Sequence, residues 1–462
     1  MTSHSTAAQH SLATLAADLR YADLPTAVVH QARRVLVDTL GCALGGARSI
    51  PAEIVLRTAT ALGGTPECTV IGTLAKTSCA LATLVNGTMI RYLDMSDYYY
   101  GRDPSHPSGN VAPVIAMAER MHADGRALIE ALVVAYEVQL RFTDCAGQPD
   151  IWTRGWHHAT NMQFSAAAAA GRLLGLDAVR IAHAIAIAGS HNNTLAQSQR
   201  GHIPLMKATA EATIAKGGVE AALLASHGLT GPDRLLEGEL GYGKSVAGEI
   251  DYAQLTAPCE GRYRISGIGM KPYAARAAIQ APVAAALDIR RQCSGRTEAI
   301  TAIEAALPGQ IMAMPSWDPQ KYDPSNRETA DHSFSYCMAV AMIDGDCGPA
   351  QFADEKLHSA HVRALMNRIT FVPDAELTRA WPGSGGCRVR ATLLDGARIE
   401  ALCRDAPGNA SHPLTDEEVA GKLRRLASGV LSAPQIEQLL DRLWTIERCK
   451  DTAGLTSLLV PQ

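Results

Sequence analysis

The chain has 462 residues, 42 Lys and Arg against 46 Asp and Glu, a formal charge of −4 and 47% hydrophobic residues. With a mean hydropathy near zero, this is the balance of a globular protein long enough for more than one core. It supplies no global field for nucleic acid or an anionic membrane surface.

Eleven cysteines, an odd number with no C-x-x-C, predict free thiols in a reducing compartment rather than a disulfide framework or an iron–sulfur site. The chain opens without a basic segment followed by an apolar one, and no run of about 18 apolar residues follows, so the expected location is the cytoplasm.

Taken in order, residues 9–22 read as a first helix. Pro25 marks a second start, and Val28, Ala32, Val35, Leu36, Leu40 and Ala43 recur at helical spacing. Gly45 and Gly46 are expected to stop that helix. A short strand is expected at 68–71, then helices over 76–93, 111–121 and 127–142. Five consecutive alanines (166–170) and Gly171 predict a helix that a neighbour approaches closely, with His157 and His158 just before it. Residues 178–189 are helical, 191–207 polar and looped, and 208–227 a helix closed by Gly228.

The stretch 238–245, GELGYGKS, satisfies the G-x-x-x-x-G-K-[ST] phosphate-loop pattern. It lacks the preceding buried strand and following helix that such a loop needs, so it is set aside. From Gly267 to Tyr273 a glycine-rich hinge carries Lys271. Beyond it, 299–307, 369–372, 388–394 and 398–402 read as strands, giving an α/β region over 269–403. Thr415 with Glu418 forms a capping box, and 415–428 and 433–446 read as helices returning to the first domain.

The chain is organised around RYLDMSDYYYGRDPSHPSGN (91–110). Asp94 and Asp97 are three apart and share a face if the preceding helix continues. The prolines and Gly109 then form a loop carrying His106. Carboxylates at a helix end beside a loop-borne histidine suit proton transfer; the same pattern also suits a polar loop between core helices. His158 stands at a helix start, where a substrate carboxylate is favoured and where a histidine can also simply cap. Lys207 precedes a helix, an unfavourable place for a lysine. Asp331 and His332 precede an apolar helix as a possible cap plus proton-handling group. Two fixed ammonium groups, Lys207 and Lys271, suit a substrate with two or more carboxylates, and a lysine there stabilises charge when an alpha proton leaves. The implied chemistry is proton transfer alpha to a carboxylate: dehydration, decarboxylation or epimerisation.

On RYLDMSDYYYGRDPSHPSGN, GWHHAT, Lys207 with EATIAKGGVEAALLASHGLTGP, GIGMKPYAA and RETADHSFSYCMAVAMIDG, the chain resembles the MmgE/PrpD family. The resemblance implies a mainly α fold: a large all-helical domain from both chain ends (1–268 and 404–462) and an inserted α/β lid (269–403). It implies a homodimeric enzyme with no cofactor and no metal, and a site between the domains. By position Asp94, His106, Lys207 and Lys271 match the family's functional aspartate, histidine and two lysines, and His158 the histidine of its GxxH turn. Tyr98 stands where the family usually has Thr, and Arg276 and Gln280 near where many members have Cys or His. These three, with Asp97 and His332, are the expected substrate contacts. The activity expected first is a 2-methylcitrate dehydratase-like hydro-lyase acting on a di- or tricarboxylate. The alternatives are a cis-aconitate decarboxylase-like or iminodisuccinate epimerase-like enzyme, or a catalytically silent carboxylate binder.

Overall fold

The computed structural model of the chain describes residues 7–147, 150–314, 317–381 and 385–462. Over them the protein is mainly helical with small sheets. Helix α1 (Ala8–Asp18) stops short of residue 22 because Leu19 is extended, and a 3-10 turn follows at Tyr21–Asp23. Helix α2 (Thr26–Gly46) runs through Gly45 and Gly46 instead of stopping at them. Close contact explains both residues: a Cβ on Gly45 would lie 2.7 Å from Leu93 Cδ1, and one on Gly46 would overlap the Met89 carbonyl. Helix α3 (Ile50–Leu62), which the sequence reading leaves unassigned, is capped by Ser49 and has Pro51 in its first turn.

Strands β1 (Cys68–Thr69) and β2 (Lys76–Thr77) pair antiparallel and lead into α4 (Cys79–Tyr92). Then come α5 (Val111–Arg120), α6 (Gly125–Asp144), α7 (Met162–Leu173), α8 (Ala178–His191) and α9 (Ala210–Ser226). Small residues set their spacing. Ala166 to Ala170 are all buried. A Cβ on Gly218 of α9 would meet the Ala166 Cβ at 2.6 Å, and one on Gly87 of α4 would meet Ala212 of α9 at 2.8 Å. The GELGYGKS stretch folds as turns that run into a short π-helix (Gly243–Ala247), with the Tyr242 amide donating to the Leu235 carbonyl, and helix α9 and a loop precede it rather than a strand.

A three-stranded sheet positions the site. Strand β3 (Asp97–Tyr100) lies between β4 (Pro104–Ser105) and β5 (Gly269–Met270), with Asp97 opposite Met270 and Tyr98 opposite Gly269. Lys271, next after β5, is thereby brought beside Asp94. Strands this short carry no readable alternation.

Helix α10 (Gln280–Gln292) follows. Then β6 (Ile300–Leu307), β7 (Ile369–Pro373), β8 (Cys387–Leu393) and β9 (Arg398–Cys403) form a sheet in the order β7-β6-β8-β9, parallel between β6 and β7 and antiparallel elsewhere. Helix α10 packs on β8 and β9, and α11 (Phe334–Asp344) packs on α10. Ile303, Val389, Ile289 and Val340 belong to this core, which Leu93, Met95 and Leu426 join from outside the region. Helices α12 (Asp416–Ala427), with its capping box intact, and α13 (Ala433–Trp444) place Leu423, Leu439 and Leu443 in the first core beside Leu36 and Leu40. Among the described residues no helix is long and apolar enough to cross a membrane.

Candidate active site

Helix α4 ends at Tyr92, so Asp94 and Asp97 do not share the helical face that their spacing suggested. Asp94 instead takes a left-handed backbone, φ 51°. Three cations converge on its carboxylate. Arg91 Nη1 and Lys271 Nζ reach Oδ1 at 2.9 and 2.5 Å, and Lys207 Nζ reaches Oδ2 at 2.9 Å. Lys207 also donates to both Asp331 oxygens at 2.9 Å, and Arg91 Nε to Glu211 Oε1 at 3.1 Å. All six residues are buried, and three cations balance three carboxylates. Buried charge is tolerated in such a cluster because each member is paired. Burial alone would raise the Asp94 carboxyl; Arg91, Lys207 and Lys271 together hold it well below the usual carboxylate range. Burial lowers the Lys271 ammonium, with Asp94 pulling the other way.

Above this cluster stand neutral histidines. His106 Nδ1 is 2.9 Å from the Asp97 carbonyl. A carbonyl only accepts, so this contact assigns the proton to Nδ1 and leaves the lone pair on Nε2. Burial, reinforced by Arg91 and Lys271, keeps this imidazole well below the ordinary histidine range. The His158 ring is 5.4 Å from that of His106. Burial, then Arg91 and Arg276, push His158 down to about 3, and neither of its ring nitrogens has a hydrogen-bond partner among the described residues. Its Nε2 is 3.8 Å from Glu211 Oε1. His157 takes the capping role instead: its Nδ1 accepts from the Ala159 amide at 3.0 Å. His332, 2.5 Å from Asp331 Oδ1, is lowered to about 3 by burial and Lys207.

Arg91, Tyr98, His106, His158, Arg276 and His332 line a cavity of about 40 Å³. A neighbouring cavity of about 90 Å³ shares Arg276 and His332 and adds Lys321. Tyr98 packs edge-on against Tyr100, which packs against Trp381.

Several expected contacts lie elsewhere. Asp97 accepts from the Ser108 amide at 2.8 Å and the Tyr136 hydroxyl at 2.6 Å. Gln280 accepts from the Tyr273 amide at 3.2 Å and donates to the Ala275 carbonyl at 2.8 Å. Both side chains brace loops, and neither lines the cavity. Lys207 and Lys271 do not line it either, because their ammonium groups are bonded to Asp94. The cap of α11 is Ser333, whose Oγ accepts from the Tyr336 amide, rather than Asp331 or His332.

Asp94, Asp331 and His332 bring donor atoms within 4.8 Å of one another, a spacing a metal ion could use. The Lys207 ammonium already contacts Asp94 and Asp331 at 2.9 Å and His332 at 3.3 Å. With Arg91 and Lys271 alongside, this set fits an ammonium better than a divalent ion. Arg91 and Glu211 escaped the sequence reading, and Asp331 entered it only as a cap. The available signals were the three-residue spacing of Arg91 from Asp94 and a lone acid in the first turn of alanine-rich α9.

Residues 10–255 match the MmgE/PrpD N-terminal domain model and residues 273–446 the MmgE/PrpD C-terminal domain model. The human cis-aconitate decarboxylase is 27% identical over 97% of this chain and 94% of its own length. That of Aspergillus terreus is 24% identical over 96% of this chain and 94% of its own length. The 2-methylcitrate dehydratase of Cupriavidus necator is 27% identical over 81% of this chain and 80% of its own length.

Proposed function

The chain belongs to the MmgE/PrpD family, and from that premise we propose that it is a lyase that moves a proton alpha to a carboxylate of a di- or tricarboxylic acid. The first reading is dehydration of a 2-hydroxy acid of the 2-methylcitrate type. The observation that carries it is His106: a buried, neutral imidazole whose Nδ1–H is fixed on the Asp97 carbonyl, beside a cavity reached by two arginines. Its Nε2 takes the proton from carbon. Arg91 and Arg276 hold the carboxylates and stabilise the charge that grows as the proton leaves.

A substrate bringing two or three negative charges raises the pKa of His158. His158 then takes up a proton and delivers it to the departing hydroxide. Lys207 and Lys271 act through Asp94, holding the positive floor of the site in one geometry. In this reading residues 269–403 form the lid. Cavities of about 40 and 90 Å³ are small beside the ~300 Å³ of an ordinary ligand site. Substrate entry therefore requires the Arg276 side to move away from the His106 side, with the glycines before Lys271 as the hinge. The cytoplasm and a homodimer complete the reading; eleven free thiols fit a reducing compartment.

Decarboxylation of a cis-aconitate-type acid is the second reading. It is favoured by relatives of that name spanning 96–97% of the chain, against about four-fifths for the 2-methylcitrate dehydratases. The test is a proton NMR assay in D₂O with 2-methylcitrate, citrate, cis-aconitate and iminodisuccinate. A new vinylic signal from a hydroxy acid supports the hydro-lyase, itaconate from cis-aconitate supports the decarboxylase, and deuterium exchange without net loss supports an epimerase. No change with any of the four counts against the proposal.

A further inference from the structure

Lys422 is a buried cation that the chemistry above does not use. It lies on α12, and its side chain is 2% exposed. It reaches the interior because α12 crosses α2 at a glycine: a Cβ on Gly41 would stand 3.0 Å from Leu423 Cα. Its ammonium donates to Asp38 Oδ1 on α2 at 2.7 Å, to the Met95 carbonyl at 2.5 Å and to the Lys271 carbonyl at 2.9 Å. Three acceptors use all three of its protons.

Two of those acceptors are the backbone of the site itself: the residue after Asp94, and Lys271. On the other side of Asp94, Arg327 Nη2 donates to the Leu93 carbonyl at 3.3 Å. Asp94 therefore sits at φ 51° between two carbonyls held by cations. A left-handed backbone is uncommon outside glycine and is tolerated best by Asn and Asp, and here the carbonyls on both sides of it are held in place.

We propose that Lys422 is a positioning residue, which fixes Asp94 against Lys271 by tying the Met95 and Lys271 carbonyls to one ammonium. One bond reaches the α4–β3 connection and the other the chain leaving β5, so a single group sets the distance between two supports far apart in sequence. The inference rests on the reading of Asp94 and Lys271 as parts of the active site. The competing role, neutralising Asp38, is separable, because Asp38 makes no hydrogen bond to Met95 or Lys271 among the described residues.

The experiment compares Asp38→Asn, Lys422→Met and the double variant, by thermal unfolding, by steady-state kinetics on whichever acid of the NMR panel is turned over, and by crystallography. Asp38→Asn keeps both backbone bonds and is expected to lose stability while kcat stays within about threefold. Lys422→Met strands a buried carboxylate and is expected to lose stability and turnover together. The double variant removes both charges, so its unfolding midpoint recovers toward wild type. Its kcat stays about 10- to 100-fold down while KM moves less than about threefold, the mark of misplaced groups rather than lost binding. In its crystal structure the Asp94–Lys271 contact opens.

Recovery of kcat in the double variant, or an unchanged Asp94–Lys271 contact, overturns the proposal. Should the double variant not fold, Asp38→Asn still decides: a fall in kcat beyond about tenfold there makes charge neutralisation the role. The crystallographic comparison needs no substrate, so it judges Lys422 even if none of the four acids reacts, a failure that belongs to the proposed function.

Discussion

Replacing Asp94 with Asn removes one charge from a cluster in which three cations meet three carboxylates. Asn has nearly the shape of Asp and tolerates a left-handed backbone, so φ 51° adds no strain. Lys207 keeps both Asp331 oxygens at 2.9 Å, and Arg91 keeps Glu211 at 3.1 Å. Lys271 loses the carboxylate to which it donates. Stranding one member of a buried ion pair costs about 3–5 kcal/mol.

The cost should also depend on pH. Burial already lowers the Lys271 ammonium, with Asp94 opposing it. Without Asp94 the folded-state pKa falls further, while an unfolded lysine stays near about 10.4. Between the two values the unfolded chain binds the extra proton, so stability of the variant rises with pH by about 1.4 kcal/mol per unit. In wild type Asp94 opposes that fall, so the slope there is weaker and sets in at higher pH. Urea unfolding at pH 7 and pH 8.5 reads both effects. A variant with the wild-type midpoint at pH 7, or one that loses stability between pH 7 and 8.5, would refute the neutral-cluster argument. Asp94→Ala should add about 1–2 kcal/mol for the left-handed backbone.

Gly46→Ala should destabilise by about 1–3 kcal/mol in thermal unfolding, since its Cβ overlaps the Met89 carbonyl; a midpoint equal to wild type would contradict that packing. His158 and His332 are held at about 3 when folded and rise to about 6.5 when unfolded, so the unfolded chain takes up protons first as the medium is acidified. Stability is therefore full above pH 6.5 and falls toward pH 3, approaching about 3 kcal/mol per pH unit for the two together, and a flat urea midpoint between pH 6.5 and 4.5 would speak against their neutral burial. Arg276→Gln should weaken substrate binding by about 1.5–3 kcal/mol, roughly 10- to 150-fold in KM. An unchanged KM would take Arg276 out of carboxylate recognition.

Much of the candidate site was legible because its residues violate the surrounding pattern. Asp94, His106, Lys207 and Lys271 are polar intrusions in alanine-rich helical sequence or at its breaks, and the structure draws all four to one end of α4. Asp97 and Gln280 look equally reactive in sequence, yet their polar atoms serve neighbouring loops. Only three-dimensional proximity separates the two groups. The β3–β5 pairing was invisible because strands of four and two residues barely display a period, and it is what carries Lys271 to Asp94. Gly45 and Gly46 were read as a helix stop by their backbone freedom, whereas their missing side chains let α2 touch Leu93 and Met89. Arg91 was passed over because an arginine at a helix end is ordinarily a surface residue; here its burial between Asp94 and Glu211 becomes apparent once α9 is packed against α4.

The central claim is that His106 moves the alpha proton. Its direct test is the rate at which His106→Gln, against wild type, incorporates deuterium from D₂O at the alpha carbon of a reactive carboxylate, with folding checked by the unfolding midpoint. The account predicts a rate about 10²- to 10⁴-fold lower in a variant that folds normally. Exchange at the wild-type rate would contradict it and pass the base to another group lining the cavity.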